Sequence, residues 1–590
     1  MNRSRQAILN LLIVFLSSLI AGTVAAEALP ADISSASLVE IGRRIYQEGI
    51  VETGELLRGE SAAHVTFTGK QAACIRCHRK SGLGTSEGNN TVRPITGTYL
   101  FLPPESDGRS NTDATEQTPL RQRALSRQGE SRAAYTQATF ARSLRDGVNS
   151  AGQSMDRLMP RYALNDKEVA ALAAYLKTLA AHPDPGVDQT TIHFATVIMP
   201  GVDPRQSQAM LDVLKAFVAG MNSETRSEVR RRTVATEPMY LSYRKWSLHV
   251  WTLTGPAEGW KAQLEQLYQQ QPVFAVISGI GGANWQPMHE FCEQQEIPCL
   301  FPNSDLPVTD GGYYSFYFSR GMALEAEVLA QYLSRVPSQR EIGANLDQKG
   351  VIMQVFRKDD SRGVQAAQVF RSTMQKSKER VPENQTGVGV DIVDGLLPAN
   401  LTEESWRQML ADRHPQTLVL WVGKDDLMKL GSWVVGASAA KQIYLSASML
   451  GGDIARNPSF LGNNFNKSLD SIRLVYPFEL SNRKARHMQR TRLWLKSKNI
   501  ALTDERVQAS TYFAATVAGD TVSHLLSNFS RDYFIELVEH MVGRSLATSV
   551  YPPLSLGPGQ RFASRGAYLV RYSSDPNGDV EPVTDWIVPD

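Results

Sequence analysis

The chain has 590 residues, 42% of them hydrophobic and 21% charged, with 62 Lys and Arg against 60 Asp and Glu. That length exceeds what one hydrophobic core serves, so two or three domains of ordinary globular composition are predicted. Net charge is close to zero, Lys and Arg are spread along the chain without basic blocks, and no nucleic-acid partner is expected.

The first residues, MNRSRQAILNLLIVFLSSLIAGTVAAEA, place Arg3 and Arg5 ahead of an apolar run that ends in small residues around Val24 to Ala28. This layout predicts a secretory signal peptide over residues 1–26, removed after Ala26 or Ala28. An uncleaved anchor is the competing reading, against which the run is short and broken by Asn10, Ser17 and Ser18. No cysteine precedes Cys74 to carry an N-terminal lipid, and no second hydrophobic span follows. The expectation is an exported protein of the periplasm, with no membrane span after cleavage.

The chain's cysteines are Cys74, Cys77, Cys292 and Cys299. Cys74-Ile75-Arg76-Cys77-His78 has the C-x-x-C-H spacing of covalent haem attachment. One helical turn separates the thiols, so each can add to one vinyl group of the same porphyrin while the adjacent imidazole reaches the iron. A thioredoxin-like redox pair and half of a zinc site are the alternatives for the same residues. A haem iron with one His needs a second axial ligand or an open site, and Met raises the potential of an electron-transfer haem. Met159 supplies a thioether, presented by the fixed backbone of Pro160. Met155 and His64 compete for that role, but only Met159 carries the following proline.

The flanking segments resemble the class I cytochrome c family. In SLVEIGRRIYQEGI, Gly42 and Tyr46 lie four apart on one helical face. The resemblance implies that this helix crosses a C-terminal helix bearing Tyr175-Leu176, with Gly42 allowing close approach and Tyr46 packing over the crossing. It assigns Met159-Pro160 as the family's Met-Pro pair and matches Pro94 in VRPITG to the proline whose carbonyl orients the ligating His. It therefore implies an all-α class I cytochrome c domain over residues 36–180 with one covalently attached haem c, anchored by Cys74 and Cys77 and ligated by His78 and Met159. The chain departs from the family in two places. More sequence separates Tyr46 from Cys74 than a minimal cytochrome needs, and PESDGRSNTDATEQTPLRQRALSRQGESR is a polar insertion expected to be a solvated loop.

A proline-bearing linker is predicted at residues 181–190, and every Trp lies at or after Trp246. Beyond it, TIHFATVIMP, KWSLHVWTLTG and PVFAVISGIGG each precede an amphipathic helix, which predicts a parallel sheet covered on both faces. The pattern restarts at GVIMQVFRKDD and runs on through QTLVLWVGKDD and KQIYLSASML, which predicts a second sheet and two lobes. VFAVISGIGGANWQPMHEFCEQQEIPCLFPNSD and YYSFYFSRGMALEAEVLAQYL resemble the type I periplasmic binding-protein fold, the family of branched-chain amino-acid binding proteins. The resemblance implies a bilobed α/β domain over residues 191–590 with a ligand cleft between the lobes. Ligands of open parallel sheets bind beyond the carboxyl ends of the strands. The candidate lining is therefore Ser278, Gly279, Gly281 and Gly282 at a Gly-rich turn, Asn303, Ser304 and Asp305 after the next strand, and Asp360, Arg362 and Ser446 from the second lobe. Each also suits a turn or cap, and the acidic residue with which the family reads an ammonium group is not identifiable. Cys292 and Cys299 can close a short disulfide in an oxidising compartment, with two buried free thiols as the alternative.

No G-x-x-x-x-G-K-[ST] phosphate loop and no H-E-x-x-H zinc helix occurs. The chain is expected to be an electron carrier rather than an enzyme, because Met159 closes the open position on the iron. Its expected partners are a periplasmic electron donor or acceptor protein and a small-molecule ligand. The alternatives are an ABC-type solute-binding or sensor protein whose haem reports redox state, and an enzyme whose haem accepts electrons from a substrate in the cleft.

Overall fold

The computed structural model describes residues 35–87, 90–102, 133–232, 243–282, 284–309, 311–335, 350–379, 390–436, 440–451, 471–526, 528–545, 547–573 and 579–589. The expected signal peptide and the polar insertion lie outside them. The described residues fall into two compact units that part between Ala181 and His182.

The first unit runs α1 (Ser35–Arg43), β1 (Arg58–Glu60), β2 (Thr66–Thr68), α2 (Ile75–His78), β3 (Thr85–Glu87), β4 (Asn90–Val92), α3 (Gly97–Phe101), α4 (Gln137–Arg145), β5 (Arg161–Tyr162) and α5 (Asp166–Leu176). Asn165 and Glu168 cap α5 reciprocally, each side chain taking the other's backbone N–H, and good helix formers follow. At the crossing of α1 and α5, a Cβ on Gly42 would lie 2.1 Å from the Ala171 carbonyl oxygen and 2.7 Å from the Tyr175 Cβ. Only glycine permits that approach. Fully buried Tyr46 lies against Tyr175 with ring centroids 5.4 Å apart, and its hydroxyl donates to the Arg79 carbonyl at 2.6 Å. The all-α expectation is corrected: β2, β1 and β5 form a three-stranded antiparallel sheet, and β3 pairs with β4. The extra sequence between Tyr46 and Cys74 satisfies its backbone polar groups by pairing as strands.

The second unit begins with β6 (Thr191–Ile198), α6 (Pro204–Arg232), β7 (Lys245–Thr252), α7 (Trp260–Gln270), β8 (Ala275–Ile277), β9 (Ile280–Gly281), α8 (Gln286–Gln294), β10 (Cys299–Leu300), β11 (Asn303–Ser304) and β12 (Ser315–Phe316). These strands pair in the order β11-β9-β6-β8-β10-β12, with β7 on β6, and every pair is parallel. After α9 (Met322–Arg335) come β13 (Val351–Phe356), α10 (Ser361–Glu379), β14 (Asp391–Leu396), α11 (Glu403–Ala411), β15 (Thr417–Trp421), α12 (Lys424–Gly436), β16 (Gln442–Ser446) and β17 (Ile472–Tyr476). Three helices follow, α13 (Ser481–Ser497), α14 (Glu505–Leu525) and α15 (Arg531–Met541), before β18 (Tyr568–Tyr572) and β19 (Val580–Pro582) close the chain. The second sheet is ordered β14-β13-β15-β16-β17-β18-β19, parallel as far as β17 and antiparallel beyond.

The central strands of both sheets are buried on both faces, which explains why they read as near-continuous apolar runs. On β6, Ile192 and Phe194 enter one core while Ala195 and Val197 enter another. On β13, Met353 and Val355 face away from Ile352 and Phe356 in the same fashion. The α14 and α15 helices return to the first lobe, where Phe513 and Phe534 pack with Phe194 and Phe274.

Part of the expected 181–190 linker is fastened to this unit. Asp184 donates its N–H to the Phe529 carbonyl, and the buried Arg531 guanidinium donates to the carbonyls of Pro185, Val273 and Gln295. The expectation that basic residues are evenly spread is also corrected, because α13 carries Arg483, Lys484, Arg486, Arg490, Arg492 and Lys496 with no acidic residue. Glu505 meets two of them, Lys484 and Arg492. Among the described residues, no helix is long and apolar enough to cross a membrane.

Gly42→Val is expected to destabilise the first unit by about 1–3 kcal/mol through overpacking at the α1–α5 crossing. Thermal or denaturant unfolding of the full chain measures this, and unchanged stability would show that the helices can part without cost.

Candidate functional sites

The α2 helix is one four-residue turn, ended at Arg79 by a φ of +64°. The His78 N–H donates to the Cys74 carbonyl at 2.9 Å, so both thiols and the imidazole hang from a single turn. Cys74 is buried and Cys77 exposed. Burial pushes the Cys74 thiol up to about 12, so it is protonated at neutral pH.

His78 is also buried, and its Nδ1 lies 3.0 Å from the Arg93 carbonyl oxygen. A carbonyl only accepts, so Nδ1 carries the proton and Nε2 keeps a lone pair. Burial holds the imidazole down to about 4, against the pull of that carbonyl, and the ring is neutral near pH 7. A neutral imidazole oriented through Nδ1 presents Nε2 as a metal ligand. The acceptor corrects the expectation at Pro94: the carbonyl belongs to Arg93, one residue earlier. Proline confines its predecessor to extended backbone, which fixes the direction of the Arg93 carbonyl.

Met159 packs against the hydrophobic cluster that holds Cys74, Tyr162 and Leu176, whereas Met155 is outside that cluster. His64 is exposed, has a φ of +58°, and places Nδ1 2.6 Å from a Glu60 carboxylate oxygen. Two thiols one turn apart, an oriented imidazole and a thioether in the same cluster form a donor set that fits a covalently attached haem.

In the second unit a narrow cleft opens between the lobes. Asn303, Ser304 and Asp305 line it from the first lobe, and Ser448 lines it from the second. The structure brings five predicted residues, Asn303, Ser304, Asp305, Asp360 and Arg362, together here. Arg362 is bidentate to Asp360 at 3.0 Å for both contacts and reaches across to Asp305 at 3.6 Å. Arg506 approaches the other Asp305 oxygen at 3.7 Å.

Three predicted lining residues are corrected. Ser278 is buried, with a φ of +58°, and its hydroxyl accepts from the Asn303 amide at 3.1 Å and contacts Thr511 at 3.2 Å. Gly281 is enclosed, since a Cβ there would lie 2.7 Å from the Met199 sulfur and 2.9 Å from Trp285. Ser446 is buried and accepts the Met449 N–H at 3.1 Å, closing the turn after β16. The two serine hydroxyls are thus engaged by neighbouring protein groups, and Gly281 is enclosed by packing. Gly279 has a φ of +112° and abuts Trp285, while Gly282 faces open space. Cleft residues that the sequence did not single out are Arg506, Ser510 and Tyr551. They come from chain segments that return to the first lobe late in the sequence, and no local motif announces that return. Cys292 and Cys299 are joined as a disulfide, with Cα atoms 6.3 Å apart.

A family model described as Cytochrome c matches residues 68–180. Among solved structures, a fatty acid ABC transporter substrate-binding protein from Thermomonospora curvata is 14% identical, covering 69% of this chain and 95% of its own, with a TM-score of 0.45. A leucine binding protein from Thermotoga maritima is 11% identical over 68% of this chain and 99% of its own, with a TM-score of 0.45. An ABC transporter substrate-binding protein from Sphaerobacter thermophilus is 13% identical over 68% of this chain and 98% of its own, at 0.46. No curated protein sequence matches the chain.

Glu325, at the start of α9, is wholly buried, and burial pushes its carboxyl up to about 7 against the pull of the Ser448 and Ser446 hydroxyls. A carboxyl raised above its unfolded value holds its proton more tightly when folded, so stability falls as pH rises from about 4.3 through 7. Glu325→Gln is expected to stabilise the second unit by on the order of 1–3 kcal/mol at pH 8 and by little at pH 5. Melting temperatures at the two pH values test this, and an equal gain at both counts against it.

Proposed function

We propose that the chain is an exported mono-haem c-type cytochrome for electron transfer, carrying a two-lobed domain that binds a small solute or a partner protein and so couples the haem to a periplasmic redox system. The observation that carries this reading is the buried, neutral His78, tied through Nδ1 to Arg93 and offering Nε2 beside the Cys74–Cys77 pair. The cytochrome c match over residues 68–180 implies covalently bound haem and supports it. When bound, the haem supplies a one-electron ferrous–ferric couple. Cys74 and Cys77 would anchor it, His78, its ring held in the ligating tautomer by the Arg93 carbonyl, would offer Nε2 to the iron, and Met159 would offer its thioether.

A second reading, a solute-binding or sensor protein whose haem reports redox state, is favoured by the charges that meet across the cleft. Asp305 of the first lobe faces Arg362 of the second at 3.6 Å. A ligand that competes for these charges would shift the balance between open and closed lobes, and through it the affinity for a redox partner.

Met159→Ala is expected to lose the Met–iron charge-transfer band of the ferric protein, lower the haem potential and open the iron to carbon monoxide. An unchanged visible spectrum would overturn the ligand assignment. For the cleft, a thermal-shift screen of the full chain against amino acids, alcohols, aromatic acids, amines and sugars is the direct measurement. A ligand at a hundred times its Kd stabilises the fold by about 2.7 kcal/mol. Absence of any shift across the panel favours a protein-docking role for the second unit over solute binding.

A further inference from the structure

The sequence between Tyr46 and Cys74 exceeds what a minimal cytochrome needs, and the structure gives the excess a definite position. β1 is the central strand of its sheet. It pairs with β2 through Arg58↔Thr68 and Glu60↔Thr66, and on its other edge with β5 through Gly59↔Tyr162 and Glu60↔Arg161. β5 is the dipeptide immediately after Met159-Pro160. The ribbon is itself fixed to the end of the N-terminal helix, because the Leu57 N–H donates to the Gly49 carbonyl and the Gly69 N–H to the Leu57 carbonyl, both at 2.8 Å.

Side chains tighten this pairing. A Cβ on Gly59 would lie 2.8 Å from the Tyr162 ring and 3.2 Å from the Pro160 Cβ, so the ribbon presses directly on the loop that carries Met159. Arg161 Nη1 donates to the Met159 carbonyl at 2.6 Å, and the Arg161 guanidinium covers Gly147, where a Cβ would come within 1.8 Å of Cζ. Buried Tyr162 donates its hydroxyl proton to the Ala72 carbonyl at 3.1 Å, two residues before Cys74. The distal methionine loop and the attachment helix are thus tied to one small sheet.

We propose that this ribbon is a positioning device for the sixth ligand: it fixes Pro160–Tyr162 so that the Met159 thioether is held at the iron, and through Tyr162 it ties that loop to the attachment helix. The inference rests on the reading of Met159 as a haem ligand. A thioether on a free loop must lose backbone entropy each time it binds, and strand pairing removes that freedom in advance. Gly59, Arg161 and Tyr162 are positioning residues, since they act through Met159.

The test uses the haem-loaded full chain in its ferric form, titrated with imidazole while the Met–iron charge-transfer band is followed. Imidazole binds only as the thioether leaves, so its apparent affinity reports how firmly Met159 is held. Gly59→Val is expected to raise imidazole affinity about tenfold, equivalent to about 1.4 kcal/mol, and to lose the band at lower temperature than wild type. Tyr162→Phe keeps the ring and serves if Gly59→Val does not fold; it is expected to shift affinity in the same direction by a smaller factor. Gly42→Ala loosens the unit away from the loop and is expected to lower the melting temperature without tightening imidazole binding. If Gly59→Val and Tyr162→Phe bind imidazole as wild type does, or no more tightly than Gly42→Ala, the ribbon does not hold the ligand. If wild type has no charge-transfer band and Met159→Ala leaves the spectrum unchanged, the ligand assignment fails and the inference falls with it. A band present in wild type and unmoved by the ribbon variants overturns the inference alone.

Discussion

The geometry of the first unit depends on a missing side chain. At Gly42 the two long helices approach until a Cβ would overlap a carbonyl oxygen of the facing helix. That closeness brings Tyr46 onto Tyr175 and carries its hydroxyl to the Arg79 carbonyl, the residue that ends the α2 turn. Arg79 stands next to His78, so the crossing fixes the end of the attachment turn from which the imidazole hangs, and the Arg93 carbonyl orients the ring. Packing between helices thereby anchors the backbone at the end of that turn.

The second unit solves a different problem, that of holding two sheets with a usable gap between them. Its strands end in turns whose polar groups are largely consumed internally, as at Ser278 and Ser446. Beside uncharged polar residues such as Asn303, Ser304 and Ser448, charges meet at the gap: Asp305 on one side, Arg362 with its partner Asp360 on the other, and Arg506 arriving from a helix that belongs to the first lobe. Turn chemistry and cleft chemistry draw on the same residue types, and burial separates them.

The family resemblance was legible where its marks are adjacent or closely spaced residues. The C-x-x-C-H pentad, the Met-Pro pair and the Gly42–Tyr46 spacing are local, and the cytochrome c match from 68 to 180 falls inside the segment they marked. Alternating strands and helices announced two parallel sheets, because burial on both faces leaves continuous apolar runs. The cleft was only half legible. Asp305, Asp360 and Arg362 follow strand ends as expected, but a serine at a strand end looks the same whether it faces a ligand or closes its own turn. Arg506 and Tyr551 were invisible because their role follows from a late return of the chain to the first lobe. The Arg93 carbonyl was missed by one position, since backbone acceptors leave no trace in residue type. The short strands around Arg58 and Arg161 escaped because three-residue segments carry too little periodicity to read.

The contrast in exposure among the four cysteines orders the chemistry of maturation. Cys292 and Cys299 are both buried within their own helix–strand pair, and once joined they are shielded from exchange with other thiols. Cys77 is exposed, one helical turn from the buried Cys74, so its sulfur is open to exchange with other thiols. A redox partner in solution can meet the Cys77 sulfur directly, while the buried crosslink is out of its reach. Identical thiol chemistry is thus given different reach by burial alone, and the fold decides which sulfurs can exchange.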